Sequence, residues 1–258
     1  GILRLERVTL SRNEAAVGAA IGAVRSRVVI EHSDLVGNSA SSGGAGLSTA
    51  VAVATVRKSR FKANHAGADA AVSHSGGRLE MQKCRLEENS ADTSSGAVGS
   101  GGRLEMERCV LRRNTAGREG GALLAFLSSV VMKDCRVERN SAGEFGGGAF
   151  LPGGVLEARC VRFTGNRAGL DGGGLYVGGG LFGGESLPAL LVDCDLQGNS
   201  ARSGGGIGMR DGSILRVYTS SIAKGTAGES GGGIGPASGL VEVQQSAIFG
   251  NRAQDGGG

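Results

Sequence analysis

The sequence predicts an all-β solenoid, and three observations carry that prediction. The nine asparagines are Asn13, Asn38, Asn64, Asn89, Asn114, Asn140, Asn166, Asn199 and Asn251. They are spaced by 25, 26, 25, 25, 26, 26, 33 and 52 residues, the last being two steps of 26 with Gly225 at the skipped position. Two residues after each marker stands alanine, from Ala15 to Ala253, in all ten repeats. Glycine supplies 50 of 258 residues, against 7 Phe, 2 Tyr and no Trp, so the interior must be narrow and built from small and aliphatic side chains. Self-similarity at this period without helical spacing marks stacked coils of strand. Crossovers between parallel strands are right-handed in nearly all cases. The expected fold is therefore a right-handed parallel β-helix of about ten 25–26-residue coils, with like residues stacked at about 4.8 Å.

Each element of a coil has its own signal. Ten and eight residues before the marker the chain is apolar, as at Leu104 and Met106, and alternation at period 2 predicts a first strand. A step of three then leads to Cys109 and Leu111, which predicts a bend and a second strand. The marker itself is read as an inward ladder: an amide offers two N–H donors and a carbonyl acceptor to the Asn one rung away and to turn backbone. Each such bond contributes a net ~0.5–1.5 kcal/mol. After Asn-x-Ala comes a polar stretch and a glycine cluster ending on an apolar residue, as in Gly120-Gly121-Ala122-Leu123 and Gly204-Gly205-Gly206-Ile207. This predicts a tight turn and a third strand, with glycine admitting left-handed dihedrals and close backbone approach. The 33-residue interval predicts an insertion loop near residues 177–188. Residues 1–258 read as one β-helix segment, opening and closing in mid-repeat, hence a fragment of a longer chain with flanking domains.

Several function classes drop out on composition and spacing. Scarce proline and no strict third-residue glycine exclude a collagen helix. The net charge of +4 comes from 28 basic and 24 acidic residues that are largely interspersed, unlike a nucleic-acid footprint. No run of 18 apolar residues offers a membrane span. Five cysteines, an odd number, argue against a disulfide framework. Cys84, Cys109 and Cys135 are expected as stacked inward thiols, whereas Cys160, one residue out of register, should face outward. There is no CxxC, no paired His, and no Gly-Lys-Ser/Thr after any glycine cluster, so neither a metal nor a nucleotide cofactor is expected.

The columns also resemble a known repeat. Gly120-Gly121-Ala122-Leu123, with variants at Gly43–Gly46 and Gly146–Phe150, is paired with Phe61-Lys62-Ala63-Asn64 and Phe163-Thr164-Gly165-Asn166. This combination is similar to the GGA[ILV]/FxxN signature of chlamydial-type polymorphic outer-membrane-protein repeats. The resemblance covers essentially the whole chain through short, degenerate motifs. It implies a pectate-lyase-like right-handed β-helix, an extracellular or cell-surface location, and an adhesin or autotransporter-passenger role with a cell-surface glycan or protein as ligand.

Two classes of function remain to be weighed. The fold also carries polysaccharide lyases and hydrolases, and fold alone does not decide between enzyme and scaffold. The best acid pair, Asp193 and Asp195, flanks inward Cys194 and should face solvent, with Asp134 two rungs away. His32, His65 and His74 are expected on outward or turn positions without a recurring partner. Outward columns do collect Lys58, Arg60, Lys83, Arg85, Arg108, Arg136 and Arg162 at one corner, a candidate anion-binding face. Glu80, Glu87, Glu88, Glu105, Glu107 and Glu138 on adjacent columns would balance that charge if the corner were only a solvated face. The favoured expectation is a non-catalytic segment for structural display or weak binding; the alternative is a polysaccharide lyase or hydrolase.

Overall fold

The computed structural model describes residues 1–178, 188–210, 212–235 and 239–257. Its strands pair in parallel, each with its counterpart one coil away, in three sheets of 16, 10 and 9 strands among the described residues. It is a right-handed parallel β-helix. Successive repeats register residue on residue: Leu79 on Leu104, Leu104 on Val130, Val130 on Leu156. The interior is one continuous apolar column of such stacks, including Met81, Met106 and Met132 and the Leu86, Leu111, Val137 and Phe163 row. Among the described residues no helix is long and apolar enough to cross a membrane.

The first strand of each repeat, such as Arg103–Glu107, lies in the largest sheet, and the second, such as Val110–Arg112, in the ten-stranded one. The bend between them is made by a residue in the left-handed region, six before the marker. From Arg7 to Gln245 these ten residues have φ between 47° and 54°, and only side chains that point away from the rod occupy the site. A second left-handed column stands one residue before each marker, filled by Gly37, Gly165, Gly198 and Gly250 but also by Arg12, Ala63, Glu88, Arg113, Arg139 and Lys224. For a residue with a Cβ this conformation costs about 1–2 kcal/mol. Rung-to-rung hydrogen bonds offset it, as from Arg108 N to Lys133 O at 2.9 Å and from Arg113 N to Glu138 O at 3.0 Å.

Two details depart from the sequence reading. Asn-x-Ala runs into a strand of its own: Ser90–Ala91, Thr115–Ala116 and Ser141–Ala142 belong to the nine-stranded sheet. A two-residue strand is too short to show alternation, so it read as polar connection. The strand after the glycine cluster does not found a new layer but joins the largest sheet, and in two repeats it runs unbroken into the next coil as Leu47–Arg57 and Val72–Gln82. Of the insertion expected near residues 177–188, residues 179–187 lie outside the described residues, while Val177 and Gly178 end one strand, Leu175–Gly178, and Pro188 begins the next, Pro188–Val192.

Candidate functional site

The asparagine column is closed to ligands by its own hydrogen bonds. Asn64 Nδ2 donates to Asn89 Oδ1 at 2.9 Å and to Leu35 O at 3.0 Å, while its Oδ1 accepts from Asn38 N at 3.1 Å and Asn38 Nδ2 at 2.9 Å. Asn38, Asn89, Asn114, Asn140 and Asn166 repeat the pattern, so both donors and both acceptor lone pairs are engaged on each. Asn13 enters the ladder at one end through Asn38, and Asn199 at the other donates to Phe163 O at 2.8 Å. Gly225 breaks the side-chain ladder, though its N–H still donates to Asn251 Oδ1 at 2.8 Å.

The basic residues do share one corner. Lys58, Lys83 and Arg108 occupy the left-handed bend, with φ of 49°, 54° and 52°. Arg60, Arg85, Arg136 and Arg162 stand on the outer face of the ten-stranded sheet in one row: Arg60 registers with Arg85, Arg85 with Val110, Val110 with Arg136, and Arg136 with Arg162. Asp34 and Asp195 end the row. Arg85 approaches Glu87 at 3.9 Å, and Arg108 reaches Glu107 at 3.5 Å and Asp134 at 3.8 Å. Among the described residues no carboxylate lies within 4.0 Å of Lys58, Arg60, Lys83, Arg136 or Arg162. Of the expected counter-charges, Glu87 and Glu107 do meet the corner, whereas three are spent elsewhere: Glu88 on Lys62, and Glu80 and Glu105 on Arg78, with Arg103 also holding Glu105. Burial is the strongest single influence on the Glu105 carboxyl and pushes it up, but the hydrogen bonds and charges of Arg103 and Arg78 together outweigh it and hold the group below its ordinary range.

The acid pair is occupied by hydroxyls. Thr219 Oγ1 donates to Asp193 Oδ1 at 2.5 Å and Ser221 Oγ to Asp195 Oδ1 at 2.7 Å, both from the next coil. Asp195, with Arg112, Glu138, Arg139 and Arg162, lines an open depression of about 380 Å³ at the end of the basic row. His32 and His65 stand exposed as expected, but His74 corrects the sequence reading. His74 is inside the rod, 2 % exposed, in an inward row between Thr49 and Ser100; its Nδ1 lies 2.9 Å from Thr49 Oγ1 and its Nε2 has no partner. Burial pulls its pKa down. The glycine clusters vary in length, so the inward phase after them cannot be counted from the marker. His65 does find neighbours, Ser90 Oγ at 3.1 Å and Asp92 Oδ1 at 3.7 Å, on an exposed face. Cys84, Cys109, Cys135 and Cys194 are buried free thiols and Cys160 is exposed. Burial pushes Cys194 up to about 11, and contact with the Cys135 and Cys84 thiols, followed by burial, pushes Cys109 upward as well.

One feature escaped the sequence reading. Phe145, Phe150 and Tyr176 meet outside the core, with ring centroids 5.2–5.9 Å apart. Glu119 and Asp171 stand one rung to either side of Phe145. The available signal was a size change in the outward row after the glycine cluster, where Gly22, Ser48, Ser73 and Gly99 give way to Leu124, Phe150 and Tyr176.

No curated protein matches the chain. A family described as the right-handed β-helix region matches residues 2–166, which is more than half of the chain. The stacked parallel coils and this match agree: the chain belongs to the right-handed β-helix family.

Proposed function

We propose that the chain is a non-catalytic segment displayed at the cell surface or outside the cell, a stiff spacer that holds anionic glycans weakly along its basic corner. The family includes both enzymes and non-enzymes, so the reading rests on the chain's own residues. The observation that carries it is that five cations of this corner, Lys58, Arg60, Lys83, Arg136 and Arg162, have no carboxylate within 4.0 Å among the described residues. Strand spacing of about 4.8 Å sets these side chains next to one another, and two like charges held at about 5 Å would repel by roughly 1 kcal/mol even in water. A polyanion lying along the rod would relieve that repulsion at several rungs at once. The resemblance to surface-protein repeats supports display and an adhesin-like role.

The test is binding of polygalacturonate to the purified chain as salt is raised. Because the contacts are exposed and screened over roughly 8–10 Å, affinity should fall steeply with ionic strength. Replacing Arg60, Arg85, Arg136 and Arg162 together by Gln should abolish binding while circular dichroism stays unchanged. Salt-independent binding, or full binding by that variant, would refute the proposal. Cleavage of the polymer that is lost in Asp193→Asn with Asp195→Asn would establish the lyase or hydrolase reading instead.

A further inference from the structure

We infer that the aromatic ridge of Phe145, Phe150 and Tyr176, with Glu119 and Asp171 beside it, is a binding site for a neutral saccharide, separate from the basic corner. The ridge is built by register. Ala149 and Leu151 point inward on Leu175 and Val177, so Phe150 and Tyr176, paired on consecutive rungs, point out. Phe145 joins them from the neighbouring row, in which Glu119, Phe145 and Asp171 bridge one to the next. Beyond Tyr176 the outward row returns to Gly208 and Gly235, so the ridge drops to a floor of backbone.

A cavity of about 140 Å³ lies on one side, lined by Glu119, Phe145, Phe150, Tyr176 and Arg210 among others. A smaller one of about 80 Å³ holds Asp171, Ser203 and Gly208. Both volumes fall well below the roughly 300–1,000 Å³ of a pocket that engulfs a drug-sized ligand. The site suits single rings laid on a surface. Each cavity carries one half-buried carboxylate whose pKa is pushed up chiefly by loss of solvent.

Packing accounts for the rings but not for the acids. Three aromatics in contact are stabilising on any surface. Drawing two carboxylates into partial burial beside them opposes folding, and neither makes an ion pair within 4.0 Å among the described residues. A sugar ring uses both kinds of group. Its C–H face covers an aromatic ring while its hydroxyls donate to carboxylate oxygens, which only accept. Uronic acids would meet a carboxylate in each cavity, against one cation, Arg210, in the larger. An alkylammonium needs an open cage, and rings 5.2–5.9 Å apart leave no space for a cation between them. With Phe150 and Tyr176 each only 8 % exposed, the open platform is the half-buried Phe145.

The test is saturation-transfer NMR on the whole chain with cellotetraose, xylotetraose and maltotetraose, beside trigalacturonate and choline. At least one neutral sugar should receive saturation at about 10 mM, in the weak range expected for so few contacts. Phe145→Leu keeps an apolar side chain at the platform but removes the ring, and it should abolish transfer. Glu119→Gln should weaken binding roughly tenfold or more, the usual effect of losing a charge-assisted hydrogen bond. The quadruple Arg→Gln variant of the basic corner should bind the neutral sugar unchanged, which separates this site from the polyanion proposal. No transfer to any neutral sugar, undiminished transfer in both variants, or preference for trigalacturonate or choline would overturn the inference.

Discussion

Replacing Asp69 by Asn should stabilise the protein at neutral pH and leave it nearly unchanged in acid. Asp69 stands in a third left-handed column that glycine fills in the other repeats except one, where Ser95 stands: Gly18, Gly44, Gly120, Gly146, Gly172, Gly204, Gly231 and Gly256. The reason for glycine is crowding, since a Cβ on Gly44 would lie 2.8 Å from Leu47 O. Asp69 accepts the position with φ 50°, and its carboxyl fills the space that a side chain at Gly99 would need. Ser73 Oγ donates to Oδ2 at 3.0 Å, but Oδ1 is sealed without a partner. Burial pushes the carboxyl from 3.8 up to about 6, against the smaller pull of Ser73. The folded state therefore holds this proton more tightly than the unfolded state does. Its contribution is most favourable below 3.8, weakens as pH rises from there to about 6, and is flat above. A gap of about two pH units, at about 1.4 kcal/mol each, amounts to roughly 3 kcal/mol. Asn cannot ionise, has nearly the same shape and tolerates the left-handed region. Urea unfolding of both proteins at about pH 3.5 and pH 7.5 should show the variant ahead by roughly 3 kcal/mol only at the higher pH. An equal difference at both pH values, or a less stable variant at the higher one, would refute this account.

Asn89→Ala should cost about 3–5 kcal/mol by chemical denaturation, because it orphans the buried Asn64 N–H and Phe61 O together. Gly225→Asn completes the ladder on paper yet should destabilise by about 1–3 kcal/mol, because its Cβ would overlap the Gly232 carbonyl; a rise in melting temperature would count against the packing described here. Native thiol titration should find one fast group, Cys160, and all five after denaturation. Four fast groups in the native protein would contradict the inward register of the other cysteines.

The rod was legible because stacking forces like residues into like positions. One Asn with its flanking apolar residues defines a coil, and ten repetitions make the pattern independent of any single coil. Cys160 could be placed outward from register alone, since it sits where Arg108 and Asp134 make the bend. Legibility ends after the glycine clusters. There the count from the marker varies, so His74 was assigned to the wrong face, and the two-residue strands at Ser90–Ala91 and its equivalents carry too few residues to alternate. The aromatic ridge was hidden for the same reason. Phe145 and Phe150 lie in different rows, and only the register of Phe150 on Tyr176 shows that their rings meet.

The left-handed corners separate what the fold requires from what the surface presents. At the bend the backbone supplies the hydrogen bond that every rung shares, and side-chain bonds between neighbours, Arg108 with Asp134 and Thr219 with Asp193, are local additions, so arginine, aspartate, cysteine, threonine and glutamine succeed one another there without disturbing a rung. Such a corner is a strip of surface sites at a fixed pitch of about 4.8 Å, each replaceable without a change to the buried rung beneath it. Evolution or a designer could rewrite the charge along that edge one rung at a time, producing a linear pattern matched to the repeat of a polymer, while the interior that keeps the sites in line stays as it is.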